Sequence, residues 1–380
     1  MNRLRVVIVA RRFWPLVGGP ERVLANLAVE LASRGCEAVV LTARWQPNWP
    51  SEIRVHDVPV IRLSQTAERG WGNLRYMRRL AHWLRTNQEH FDLVYVSQLK
   101  HEAYAAMRTV GRQMPVVLRA ERPGPCGDCQ WQREASCGRR IAAECRQSAA
   151  VVGANAEIER ELLAAGYPRS NVYRVANGVH DAPPRTPARR NAARTVLGEA
   201  NEQLEMSAAS FLAVYAGRLE ANCGLERLID AWEPLARRRP TARLWLVGEG
   251  SRRSALQRRI ESLNLEGKVV LVGVFDQVDA VLAAADVFVR PTPETGTSLA
   301  LLEAFAAGLP VVASDTASHR ELIADGRDGL LAPAEEAAWS AAIVRLFDEP
   351  ALAARLGAAA REKAAGHTLA KMADSHLTLF

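Results

Sequence analysis

Residues 290–315, RPTPETGTSLALLEAFAAGLPVVASD, read as a strand end, a Gly/Thr/Ser loop, a helix carrying Glu303, a turn at Gly308-Leu309-Pro310 and a second strand. A strand, a crossover helix and a returning strand make a βαβ unit, which belongs to a parallel sheet covered on both faces. The loop before the helix, with Thr295, Gly296 and Thr297, brings free backbone N–H groups and the positive end of the helix dipole to one place, which suits an anion. Thr297 or Ser298 is expected to cap the helix, presenting the N–H groups of Ser298 and Leu299. Glu303, in an otherwise apolar helix, is either solvated or faces a cleft where its carboxylate binds two vicinal hydroxyls, as a ribose presents them.

The same alternation runs outward through the chain. Strands are predicted at 5–10, 38–43, 93–97, 116–119, 150–153 and 172–175, and again at 211–216, 244–247, 269–272, 287–289 and 310–313. The first helix shows its period in Val23, Leu24, Leu27, Ala28 and Leu31, closed by Arg34-Gly35. The expected fold class is therefore α/β, with two Rossmann-like, doubly wound parallel-sheet domains facing a central cleft. The domain boundaries are read as 1–180 (with a cysteine-containing loop at 122–146), a Pro- and Arg-rich interdomain region at 181–208, a second domain at 209–366, and a helix at 367–380 packing back on the first domain.

At 380 residues, with 48% hydrophobic and 24% charged residues, the chain is too long for one small domain and too apolar for disorder. No run approaches the roughly 20 apolar residues of a membrane span, and the first apolar run, 6–10, stops at Arg11. With six cysteines in this length, a reducing cytoplasm is expected, including the inner face of its membrane. Gly18 and Gly19, between the first strand and the first helix, form an anion cradle or a plain tight turn. No Gly-x-Gly-x-x-Gly follows that strand, which disfavours a nicotinamide dehydrogenase.

Residues 1–180 carry 26 Lys+Arg against 16 Asp+Glu, whereas the rest of the chain carries 23 against 26. A basic first half suits an anionic membrane surface or an acidic acceptor, and no recognition motif supports nucleic acid. The segment 75–85, RYMRRLAHWLR, is a solvated helix face or a membrane-surface helix. Cys126, Cys129, Cys137 and Cys145 are either a structural zinc site, unligated thiols, or an iron–sulfur or disulfide arrangement. Lys100 and His101, after the strand ending at Ser97, reach the carboxyl-end face of the first sheet, where His101 can titrate near neutral pH.

Several motifs, in order, resemble glycosyltransferase family 4. They are Phe13-Trp14-Pro15 through Gly18-Gly19-Pro20-Glu21, Asn177-Gly178-Val179, Ala216-Gly217-Arg218-Leu219 with Gly224-Leu225, Val247-Gly248-Glu249-Gly250, 285–289 (ADVFV), and Leu302-Glu303-Ala304 through 308–312 (GLPVV). The resemblance implies the GT-B fold and metal-independent transfer of a sugar from a nucleoside diphosphate to a glycan, lipid-linked or small-molecule acceptor, with retained anomeric configuration. No cofactor is then required, and the nucleotide sugar is substrate. It places Arg218 on the diphosphate, Val274 near the base, and Glu121 on the acceptor side where many members have histidine. There are two departures: the family's diphosphate-binding lysine falls on Cys223, and the first of its two paired glutamates falls on Thr295, with Glu294 one place earlier as the candidate catalytic carboxylate. A non-catalytic nucleotide-sugar-binding protein of the same fold is the alternative they suggest.

Overall fold

A computed structural model of the chain describes residues 3–16, 18–65, 71–275, 278–292 and 298–380. The chain divides into two compact units, Met1–Gly178 with Leu369–Phe380, and Val179–Thr368.

The first unit holds an eight-stranded sheet of β1 (Arg5–Val9), β2 (Glu37–Arg44), β3 (Glu52–Val55), β4 (Val58–Ser64), β5 (Leu93–Ser97), β6 (Val116–Ala120), β7 (Ala150–Gly153) and β8 (Val172–Arg174). Their order is β3-β4-β2-β1-β5-β6-β7-β8. Every residue of β5 and β6 is buried. Because successive side chains point to opposite faces, both faces of the sheet are covered. The second unit holds β9 (Phe211–Ala216), β10 (Ala242–Val247), β11 (Val269–Gly273), β12 (Val287–Arg290), β13 (Val311–Ser314) and β14 (Leu330–Ala332). Their order is β11-β10-β9-β12-β13-β14, all parallel. Each sheet reverses its winding beside its first strand, between β1 and β5 and between β9 and β12.

The first helix, Gly19–Ser33, buries the five residues its period marks. Three strands, β3, β4 and β14, lie outside the stretches expected to be strands. β3 pairs antiparallel with β4, and β4 carries Arg62, whose guanidinium is taken up by the carbonyls of Pro50 at 3.2 Å and Trp14 at 3.0 Å and stacks 5.3 Å from the Trp49 ring. β14 is three residues long.

The stretch 181–208 contains the helix Pro187–Ala200, capped by Thr186. Arg194 of this helix is buried and donates to Asp286 Oδ2 at 2.6 Å and to the carbonyls of Ala284 and Ser210. Arg185 and Arg190 reach the same carboxylate, so this arginine-rich text is folded into the second unit by charge pairing. The chain enters and leaves that unit side by side, with the Val179 N–H donating to His367 O at 2.8 Å.

The final helix, Leu369–Leu379, belongs to the first unit. His376 is fully buried, and its Nδ1 faces the Met372 carbonyl at 2.8 Å. A carbonyl accepts, so Nδ1 carries the proton and Nε2 accepts from the Tyr95 hydroxyl at 2.9 Å. Burial pushes the His376 pKa from 6.5 to about 4. Within that window the unfolded chain takes up a proton the folded chain refuses, so this contribution to stability is complete above pH 6.5 and lost as pH falls toward 4. We expect urea midpoints to drop on acidification from pH 7.5 to 4.5, with His376→Leu removing up to about 3 kcal/mol of that pH dependence. An equal acid response in the variant would refute this account.

Candidate functional site

In open α/β sheets ligands bind outside the carboxyl ends of the strands where the winding reverses. In the first unit that point lies between β1 and β5. Gly18 is the N-cap of the helix Gly19–Ser33, and a Cβ there would collide with the Glu21 carboxylate, which folds back to pair with Arg12 at 3.0 Å. After β5, Lys100 lies with Nζ 5.7 Å from the Trp131 ring centre, and His101 meets the same ring edge-on at 5.1 Å. Burial lowers the His101 pKa, and its Nε2 stands 3.6 Å from Cys137 Sγ.

Glu121 follows β6. Its Oε1 accepts from Ser97 Oγ at 2.8 Å and from Arg119 Nε at 3.1 Å, and its side chain is 4% exposed. Burial raises its pKa, with Arg119 and then Ser97 pulling the other way. Among the described residues Oε2 has no side-chain partner. Arg119 is wholly buried and donates through Nη2 to Asn177 Oδ1 at 2.6 Å. Asp128 ties the loops after β5 and β6 together, accepting from the N–H groups of Leu99 at 3.1 Å, Glu121 at 2.8 Å and Arg122 at 3.3 Å. The sequence reading missed Ser97, Arg119 and Asp128 in these roles; the charged residue inside the apolar run VVLRA was the available signal.

In the second unit the reversal lies between β9 and β12. Arg218 follows β9 at the surface, its guanidinium making no hydrogen bond or ion pair among the described residues, although, after the hydrogen bonds from Ser251, its charge helps lower the pKa of nearby Glu220. The turn that carries it is held by the Tyr215 hydroxyl, which donates to Arg218 O at 2.8 Å. Gly224 adopts φ 70°, and a Cβ there would strike Pro291 O, so the loops after β9 and β12 meet at a glycine. Cys223 is 3% exposed and packs into the core with Tyr215 and Leu225. Ser298 occupies the N-cap of the helix Leu299–Ala306 without a side-chain bond to the first-turn N–H groups, and Thr297, the other residue expected to cap it, lies outside the described residues. Glu303 is half-buried on that helix, and Leu299 is buried. Val274 is 52% exposed just past β11, two strands away from β9. Glu294, Thr295, Gly296 and Thr297 lie outside the described residues.

The four-cysteine zinc reading is corrected. Cys129 and Cys145 are buried in the hydrophobic core of the first unit, whereas Cys126 and Cys137 are exposed. Among the described residues no group of three or more His, Cys, Asp or Glu is placed to hold a metal ion. Burial pushes the Cys129 and Cys145 thiols up to about 12, with Asp128 adding to the rise, so both stay protonated and apolar.

Two family profiles match the chain: Glycosyltransferase Family 4 over residues 17–182, and Glycosyl transferases group 1 over residues 210–349. Among curated relatives, the putative glycosyltransferase EpsD of Bacillus subtilis is 32% identical over 169 residues, 43% of this chain and 44% of that protein. The D-inositol 3-phosphate glycosyltransferase of Pseudarthrobacter chlorophenolicus is 32% identical over 186 residues, 47% of this chain and 43% of that protein. The match thus spans less than half the length of these relatives. Among solved structures, Anabaena Alr3699/HepE in complex with UDP and glucose aligns with a TM-score of 0.78 at 20% identity over 99% of both chains. Sucrose-phosphate synthase from Thermosynechococcus elongatus aligns at 0.81 and 19% identity over 99% of this chain and 98% of that one. At those identities the likeness is one of fold.

The buried Arg119–Glu121 pair generates a test. Removing one member of a buried pair leaves an uncompensated charge at a cost of about 3–5 kcal/mol, whereas removing both costs far less. Arg119→Met should lower chemical stability by that amount, and adding Glu121→Gln should recover most of it. Additive losses in the double variant would show that the two side chains are not coupled.

Proposed function

The chain belongs to glycosyltransferase family 4, and on that premise we propose that it transfers a sugar from a nucleoside diphosphate to a glycan, lipid-linked or small-molecule acceptor with retained anomeric configuration. The second unit holds the donor and the first unit the acceptor. The observation that carries the reading is Arg218: an exposed guanidinium with no hydrogen bond or ion pair among the described residues, near a Glu220 carboxylate that is itself taken up by Ser251, at the carboxyl end of β9, beside the point where the sheet reverses.

The chemistry needs a fixed cation there. The bond between the anomeric carbon and the diphosphate oxygen breaks with its electron pair moving to the diphosphate, the acceptor oxygen bonds the anomeric carbon, and the acceptor proton passes to the departing diphosphate. Negative charge therefore grows on the phosphate oxygens, and a preorganised guanidinium offers two parallel N–H donors to them. We read the transfer as metal-independent, with Arg218 supplying this charge. Glu303, half-buried on the helix Leu299–Ala306, is read as the partner of the ribose hydroxyls, and Glu294 as a contact to the donor sugar. On the acceptor side, Oε2 of Glu121 is the free oxygen of an otherwise anchored carboxylate and suits a sugar hydroxyl. The UDP complexes of the fold relative make UDP-sugars the first donors to try.

No described helix is long and apolar enough to cross a membrane. The helix Trp71–Asn87 buries Tyr76, Leu80 and Leu84 and turns Arg78 and Arg85 outward, which supports approach of a lipid-linked acceptor at an anionic surface. Cosedimentation with anionic vesicles that fades with salt is expected, and its absence at low salt would remove this part of the reading.

A thermal-shift panel of UDP, GDP, ADP and their sugars should show one selective nucleotide, stabilising by about 2.7 kcal/mol at 100 times its dissociation constant. With that donor, Arg218→Ala should lower kcat/KM by about 10²–10³. A folded protein stabilised by no nucleotide would overturn the function.

A further inference from the structure

We propose that Arg290 is a second diphosphate-binding cation and supplies from β12 the charge that Cys223 cannot. This deepens the donor-site reading above and rests on it.

Arg290 is the last residue of β12, the strand that pairs with β9 where the winding of the sheet reverses. Its guanidinium reaches across to the end of β9. A Cβ built on Gly217 would lie 2.9 Å from Arg290 Nη1 and 2.6 Å from the Tyr215 hydroxyl, so the glycine before Arg218 leaves the space that the guanidinium fills. Arg290 Cζ stands 5.7 Å from the centre of the Tyr215 ring. The Cys223 thiol and the Thr292 hydroxyl both bear on the hydroxyl of that same tyrosine. Arg290 and Cys223 therefore flank one ring: the cation is beside the place where a cation is missing.

The charge is also unspent. No carboxylate among the described residues pairs with Arg290, in contrast to Arg194, whose guanidinium is matched by Asp286. Arg290 Nε is buried without a hydrogen-bond partner. The titratable neighbour on the next strand and helix, His319, donates no negative charge: burial first, and then Arg290, push its pKa down to about 4. A cation held beside an aromatic face, with its Nε donor unused, is suited to an anion with several oxygens. A guanidinium is longer than the ammonium it replaces and fork-shaped, so it can serve the same phosphates from the neighbouring strand.

The test compares nucleoside diphosphates with their monophosphates (UDP and UMP, GDP and GMP, ADP and AMP) on the full chain by calorimetry. Arg290→Gln and Arg290→Met should each weaken the diphosphate that the wild type selects at least tenfold and change its monophosphate less than threefold. Arg290→Lys, which keeps the charge but is shorter and lacks the fork, should fall between the wild type and the Gln and Met variants in diphosphate affinity. Apo melting temperatures check that the variants are folded, and the absence of an ion pair at Arg290 favours this. Diphosphate affinity unchanged in the Gln and Met variants, or diphosphate and monophosphate weakened alike, would overturn the assignment and leave the donor site standing. A wild type that binds no nucleotide would instead overturn the donor reading and this inference with it.

Discussion

A parallel strand cannot return to its neighbour by a tight turn, so each connection must cross over one face of the sheet. Where the order reverses, successive crossovers leave toward opposite faces, and the carboxyl ends of two adjacent strands stay uncovered. Both sheets of this chain have one such place, at β1 and β5 and at β9 and β12. The candidate site residues gather there because the rest of each strand is closed off: β5 is buried along its whole length, while Lys100 and His101 follow it directly. On the other sheet, Arg218 and Arg290 leave the ends of neighbouring strands.

The first unit meets this constraint with a polar interior that has to be satisfied. Arg119 is 2% exposed in the middle of the sheet, and removing a guanidinium from water costs several kcal/mol unless its donors find acceptors. It finds Glu121 and Asn177, and Glu121 finds Ser97. Asn177 stands at the end of the unit's first chain segment, next to Gly178, whose N–H donates to the sulfur of Met372 on the final helix. Tyr95, on the strand beside Arg119, is bonded to His376 of that helix. The far end of the chain is thus docked through polar groups that also hold the carboxyl ends of β5 and β6. This makes the geometry around Glu121 depend on a helix more than two hundred residues away in sequence.

What could be read in advance divides along the same line. Strands buried on both faces give uninterrupted runs of apolar β-branched residues, so β5, β7 and β9 were legible to the residue, and the first helix announced its buried face. β3 and β4 were not, because β4 carries Pro59 and Arg62 in a half-apolar text, and Arg62 becomes compatible with burial only through carbonyls of two other loops. Motif position singled out Arg218, Glu121 and Cys223 as candidates, but whether each faces solvent or core was not legible. Cys223 and the pair Cys129 and Cys145 show this best: as letters they resemble ligands or substitutions in a site, and in the fold they are small apolar residues in two cores.

The arginines make the physical reason plain. Nearly all the positive charge of the chain is guanidinium, since only Lys100, Lys268, Lys363 and Lys371 are lysines. Arginine tolerates burial better than lysine because its charge is spread and its donors are directional, so the same letter serves as core strut at Arg119, as domain clamp at Arg194, and as exposed cation at Arg218. Sequence position does not separate these roles; the acceptors do, and although Arg119 has one only two residues on, at Glu121, its second, Asn177, lies 58 residues away and the carboxylate that matches Arg194 lies 92 away. Where the fold supplies a carboxylate, the arginine is structural. Where it supplies an aromatic face and a glycine instead, as Tyr215 and Gly217 do for Arg290, the guanidinium has no carboxylate among the described residues, and that is the ground for proposing it as an anion contact.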